Sequence, residues 1–235
     1  MSSPVRILPG SSGFSYRPWK GGFYPPELDA SEWLGHYSKV LPTVEINNTF
    51  YRMPRANVMA SWAAEAAPGF RFVIKAPRRI THFARLAGTQ ELVTALWSAV
   101  QELGAALGPI LFQLPPHARK DAARLAEFLA SLPKGMRAAL EFRHPSWHDD
   151  EVLALLREHA ACLCASDVGK LADAGIDATT DWGYLRLRQP TYADEELRAL
   201  VARLRAEPWK EAYVFFKHDE AAPGPEGALQ LARLL

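Results

Sequence analysis

Cysteine is nearly absent from these 235 residues, occurring only at Cys162 and Cys164, and no stretch approaches the ~18 apolar residues of a membrane span. The first scarcity leaves no disulfide framework and no cysteine zinc site, and two thiols on one strand face read as small buried groups. The second, with a start from Met1 to Gly10 that lacks an apolar signal region, points to a cytoplasmic protein without a membrane partner. Net charge is scarce as well. A formal +1 gives no global pull toward nucleic acid or acidic lipid, so any electrostatic preference has to be local. Metal-binding spacings such as H-E-x-x-H, low-complexity tracts and long repeats are also missing.

What is present is a rhythm. Eight strand-like runs recur at Val5–Gly10, Thr43–Asn47, Phe70–Lys75, Pro109–Leu114, Ala138–Arg143, Ala161–Asp167, Tyr184–Arg188 and Tyr213–Lys217. Segments of helical period separate most of them, as with Leu92, Leu96, Leu103 and Leu107, or Leu125, Phe128, Leu129 and Leu132. Eight strands with helical crossovers predict one α/β domain over residues 1–235, a TIM-type (β/α)8 barrel, because a closed parallel sheet leaves no edge. The crossover from Val168 to Asp181, between strands six and seven, is the weakest, with only Lys170–Gly175 able to form a short helical turn.

Alternation within the strands supplies a geometry. Val44 and Ile46 share one face while Glu45 and Asn47 share the other; Phe72 and Ile74 oppose Lys75, Ile110 and Phe112 oppose Gln113, and Leu185 and Leu187 oppose Tyr184, Arg186 and Arg188. With the apolar face against the helices, Glu45, Lys75, Gln113, Glu141, Arg143, Asp167, Arg186, Arg188 and Lys217 gather at the C-terminal rim, where such barrels build their sites. Five of these are basic and three acidic, a balance that favours an anionic ligand. The alternative is that the charges pair and fill a polar barrel end.

The loops add aromatic side chains. Tyr16 and Trp19 follow the first strand, Tyr51 the second and Trp147 the fifth. They either stack on a flat ligand or wedge the loops together as a minor core. Asn47 either turns its loop or meets ligand, and His82 and His144 either anchor loops or move protons. Gly10-Ser11-Ser12-Gly13 lacks the spacing of a nucleophile elbow and reads as a tight turn. Pro223–Gly227 leads into a helical segment at Ala228–Leu234, predicting a helix N-terminus near Lys217.

The strings GSSGFSYRPWKGGFYP (Gly10–Pro25), TVEINNTFYRMP (Thr43–Pro54), FRFVIKAPRRITH (Phe70–His82), GPILFQLPP (Gly108–Pro116), LEFRHPSW (Leu140–Trp147) and YLRLR (Tyr184–Arg188) resemble those of the YecE-like family, domain-of-unknown-function family seventy-two. The resemblance runs in order along nearly the whole chain and implies a TIM-type barrel but no activity. In that family Arg-Leu-His-Gly often follows the seventh strand, where this chain has Arg186-Leu187-Arg188-Gln189. After the eighth, Phe-Asn-Asn often stands where this chain has Phe216-Lys217-His218.

The expectation is therefore a mouth that binds a small anionic ligand or a phosphodiester, with Lys75, Arg143, Arg186 and Lys217 holding the anion. Glu141 is the first candidate for general acid or base, ahead of Glu45, Asp167 and His144. Tyr16, Trp19, Asn47, Tyr51, His82, Gln113, Trp147, Tyr184, Arg188 and His218 complete the ligand set. The leading reaction class is a hydrolase or lyase that needs no metal and no cofactor, since the cations already supply charge stabilisation. A glycosidase is disfavoured because Glu45 and Glu141 lie on the second and fifth strands. The competing reading is a non-catalytic nucleic-acid-binding module that stacks bases on Tyr16, Trp19, Tyr51 and Trp147.

Overall fold

A computed structural model describes residues 4–167, 171, 175–217 and 224–235. Its eight parallel strands are β1 (Arg6–Ser12), β2 (Thr43–Ile46), β3 (Arg71–Lys75), β4 (Leu107–Gln113), β5 (Ala138–Glu141), β6 (Cys162–Ser166), β7 (Trp182–Leu187) and β8 (Glu211–Phe216). They close in sequence order, with β8 returning to β1 through the register Arg6↔Glu211 to Ser11↔Phe216. Helices α1 (Trp33–Val40), α2 (Ala56–Glu65), α3 (Gln90–Val100), α4 (Ala122–Ala130), α5 (Asp150–Glu158), α6 (Asp194–Ala206) and α7 (Gly224–Arg233) cover the outside. Among the described residues no α-helix joins β6 to β7. Most of the segment expected to make a short turn there lies outside them.

Period-two alternation divides the strands into two apolar layers. Val44, Ile46, Phe72, Ile74, Ile110, Phe112, Leu140, Leu185 and Leu187 pack outward with the helices. Leu8, Val73, Leu111, Ala139, Cys162, Cys164, Trp182, Tyr184, Tyr213 and Phe215 form a separate cluster inside the ring. Small residues accommodate the large rings there. At Gly10 a methyl group would come within 2.3 Å of the Thr43 carbonyl oxygen, so the close approach of β1 to β2 requires glycine. Both cysteines are buried and unbonded, as their spacing implied.

Two local expectations are corrected. Ser11 and Ser12 belong to β1, because the ladder to β2 continues to Ser12↔Glu45 before the chain turns at Gly13 (φ 100°). Several strands also stop short: Arg143, Asp167, Arg188 and Lys217 each follow a strand, where the ladder ends and the loops of the mouth begin.

Candidate functional site

Above the apolar interior lies a layer of charge built from the in-facing strand ends. Glu45 of β2 is fully buried and accepts four contacts: Ser12 Oγ (2.8 Å), Asn47 Nδ2 (3.1 Å) and Arg186 Nη2 (2.8 Å) at Oε1, and Tyr184 OH (2.6 Å) at Oε2. Burial opposes its ionisation, but Arg186, Lys75 and the donated hydrogen bonds prevail and hold its pKa at about 2. Glu141 of β5, buried likewise, accepts Gln113 Nε2 (2.7 Å) and Arg186 Nη1 (2.9 Å) at Oε2, and Arg188 Nη2 at Oε1. Desolvation again pushes its pKa up and is outweighed by Arg186 and Arg188, so the net shift is downward. Both carboxylates are thus ionised and occupied.

Arg186 spends both terminal nitrogens on these carboxylates, which leaves its Nε buried without a hydrogen-bond partner among the described residues; Arg188 Nε is in the same state. Lys75 ends β3, where its carbonyl accepts from Thr49 Oγ1 (2.7 Å), and its ammonium makes no hydrogen bond or ion pair among the described residues. Its ammonium instead sits 4.5 Å from the centroid of the Phe50 ring. Desolvation first, then the charge of Arg186, lowers its pKa to about 8 against the opposing pull of Glu45 and Glu141. His82, on the π-helical turn Arg79–Phe83, packs edge-on against the same Phe50 ring at 4.8 Å and binds Thr81 Oγ1 through Nδ1 at 3.0 Å. Burial and the nearby Lys75 and Arg143 hold its pKa down, which favours the neutral imidazole. Arg143 is exposed and borders a cleft of about 820 Å³ with Glu141, Phe142, Cys164 and Ser166.

The layer therefore joins Glu45, Lys75, Gln113, Glu141, Tyr184, Arg186 and Arg188, with Asn47, His82 and Arg143 at its edge. Tyr16 reaches over it, donating to the Ser12 carbonyl (2.9 Å) and lying near enough to Glu45 for that charge to add to burial in raising its pKa. Tyr51 stands at the rim, with 68% of its surface exposed.

Other expected residues lie elsewhere. Asp167 falls one position past the inward Cys162, Cys164 and Ser166, so its carboxylate turns out of the ring. There it accepts the Arg188 backbone N–H (2.7 Å) and the Tyr192 hydroxyl. His144 Nδ1 accepts from Ser146 N (3.1 Å) and caps its own loop. Trp147 is buried, stacked on Phe142 at 4.3 Å and 7°, and donates from Nε1 to the Ala118 carbonyl (2.8 Å). Trp19 is buried among Tyr16, Phe23 and Tyr24. Both indoles wedge loops together, and Trp147 also lines the cleft that Arg143 borders. Lys217 is exposed in an outer groove with Tyr192 and Gln230, beside α7, which begins at Gly224. His218 lies outside the described residues. Ser12 was missed as a partner of Glu45, although Leu8, Gly10 and Ser12 share one strand phase.

Fold and mouth together define a TIM-type barrel whose C-terminal end carries a buried, cation-rich ion-pair layer. The chain belongs to the family described as "Protein of unknown function DUF72", whose profile matches residues 8–235. It is 32% identical over 115 residues to the UPF0759 protein YecE of Escherichia coli K12, and 27% identical over 132 residues to the UPF0759 protein YunF of Bacillus subtilis 168. Those segments are 48% and 53% of this chain and 42% and 47% of the two relatives. A DUF72 crystal structure from Thermotoga maritima superposes with TM-score 0.81 at 27% identity, over 97% of this chain and 98% of that one. SacUVDE shares the fold at TM-score 0.61 and 10% identity, over 98% of both chains.

Proposed function

We propose that the mouth binds a phosphate-bearing small anion between Lys75, Arg143 and Arg188. One observation carries this reading: among the described residues, Lys75, Arg143, Arg186 and Arg188 cluster about two buried carboxylates, Glu45 and Glu141, while Asp149, Asp150 and Asp177 border the outer cleft beside Arg143. Unpaired charge is costly to hold out of water, and an anion offsets that of the half-buried Lys75, with the exposed Arg143 as a further contact. The Nε atoms of Arg186 and Arg188 and the Lys75 ammonium, without hydrogen-bond partners among the described residues, support the same conclusion. Because both glutamates are held ionised by their donors, Lys75 and His82 are better placed than they are for proton transfer, in a reaction of the lyase or hydrolase class.

Calorimetry with inorganic phosphate and a phosphate monoester tests this. Saturable binding is expected, weakened about tenfold or more in Arg143→Gln and Lys75→Met, as for loss of a charge-assisted hydrogen bond. Absence of heat and of thermal stabilisation at roughly 10 mM phosphate, where a millimolar site is mostly filled, would refute it.

A second reading has one specific support. Tyr51 and Phe83 are 68% and 66% exposed, and Arg78 lies over both rings, at 5.7 and 5.3 Å. Exposed rings interleaved with a cation suit single-stranded nucleic acid. Oligonucleotide binding with a steep salt dependence would favour this reading over a small ligand.

A further inference from the structure

We propose that Lys75 is a nucleophilic amine that condenses with the carbonyl carbon of a phosphate-bearing aldehyde or ketone. The choice of a phosphorylated substrate rests on the anion-binding reading above, with Arg143 and Arg188 holding the phosphate while the Lys75 amine meets the carbonyl; the identity of the nucleophile rests on the surroundings of Lys75 itself.

An amine becomes a nucleophile when its environment disfavours the ammonium, through burial or neighbouring cations, and when no acceptor holds its protons. Lys75 meets them on balance: burial and the charge of Arg186 outweigh Glu45, Glu141 and the Phe50 ring, which favour the ammonium, and no acceptor among the described residues holds its protons. It ends β3 at the mouth, where barrel enzymes place reacting groups, and its aliphatic stem comes from a strand in the closed ring. The groups facing it are Glu45 from β2, Glu141 from β5, Arg186 and Arg188 from the β7 end, and the Phe50 ring. The two carboxylates are occupied: Glu45 by Ser12, Asn47, Tyr184 and Arg186, and Glu141 by Gln113, Arg186 and Arg188. Neither makes an ion pair with the Lys75 ammonium. A pKa lowered to about 8 gives, near neutral pH, on the order of a hundredfold more free amine than an ordinary lysine.

The condensation balances without an added oxidant or metal. The amine lone pair forms a C–N bond to the carbonyl carbon, the C=O π pair moves to oxygen, and a proton passes from the nitrogen to that oxygen, which restores the nitrogen lone pair in a neutral carbinolamine. The C–O bond of that carbinolamine then breaks, the hydroxyl leaves as water after a second protonation, and the nitrogen lone pair forms the iminium. In sum, a lysine ammonium and a carbonyl give a protonated imine and one water. His82, neutral and packed on the same Phe50 ring, is the adjacent titratable group on the loop side. The iminium keeps the charge of the ammonium it replaces, so the layer's balance is preserved.

Trapping with sodium cyanoborohydride tests this, with dihydroxyacetone phosphate and dihydroxyacetone as probes and the adduct located by peptide mass in the unmodified protein. One adduct per chain is expected, on Lys75, forming at least about tenfold faster with the phosphorylated ketone, since that preference reflects one or more charge-assisted contacts. Arg143→Gln should lower the phosphorylated rate toward that of dihydroxyacetone. Adducts spread over exposed lysines such as Lys39 and Lys134, with Lys75 unmodified, would overturn the proposal. If phosphate still binds by calorimetry in that case, the anion site survives and only the nucleophile fails. Labelling of Lys75 without preference for phosphate would instead uphold the nucleophile and remove the phosphorylated substrate.

Discussion

Arg186 joins Glu45 to Glu141: its guanidinium donates from Nη2 to the first at 2.8 Å and from Nη1 to the second at 2.9 Å, so β2 and β5 are tied through β7. Arg186→Met should therefore leave two buried carboxylates short of a counter-charge, a change that costs about 3–5 kcal/mol in such pairs. The pH dependence should invert. In the native protein Glu45 is depressed to about 2 from 4.5, so its contribution is present above pH 4.5 and lost as pH falls toward 2. In the variant both carboxylates prefer protonation, and stability should rise as pH drops from about 7 to about 5. Denaturant titrations across that range check this, and a variant matching wild type at neutral pH would show that the bridge contributes nothing.

Anion affinity should follow the charge of Lys75. Sulfate keeps its charge between about pH 7 and pH 9, while Lys75 loses its proton near 8. Binding should weaken across this interval in wild type and stay nearly flat in Lys75→Met. Equal slopes in both proteins would assign the titration to another group.

Trp147 lines the cleft beside Arg143 but should matter for folding and not for anion affinity. Its ring is buried against Phe142 and its Nε1–H is satisfied by Ala118, so Trp147→Ala creates a cavity and should cost about 3–5 kcal/mol. Sulfate affinity per folded molecule should remain unchanged. An affinity loss at unchanged stability would return Trp147 to the ligand set.

The two thiols should be silent in the native state. Burial pushes Cys162 up to about 12 and Cys164 well above its usual value, so neither supplies thiolate at neutral pH. Thiol titration near pH 8 should show no fast reaction until denaturant opens the barrel, and then two equivalents. Rapid labelling of native protein would place one thiol nearer solvent than β6 allows.

The strand order and the facing of most strand residues were legible in the sequence because period-two alternation is local: Val44 and Ile46 declare one face and Glu45 the other without reference to any other strand. The inward placement of Glu45, Lys75, Gln113, Glu141 and Arg186 follows from that rule alone. The same rule carries Ser12, in phase with Leu8 and Gly10, and sends Asp167 outward, one position past Ser166.

Tertiary structure alone decided what these charges do. Arg186 and Glu45 are separated by 141 positions and meet only because the ring closes with a particular stagger, which no local pattern encodes. The sequence offered Arg186 as a holder of anions; closure spends its terminal nitrogens on the protein's own glutamates and leaves the Lys75 ammonium without an ion pair among the described residues. Loop residues were least legible. Trp147 and Trp19 have no periodicity to orient them, and only packing against Phe142 and Tyr24 turned them inward. The sequence by itself determined a barrel with a charged mouth, and its closure determined which of those charges pair with one another.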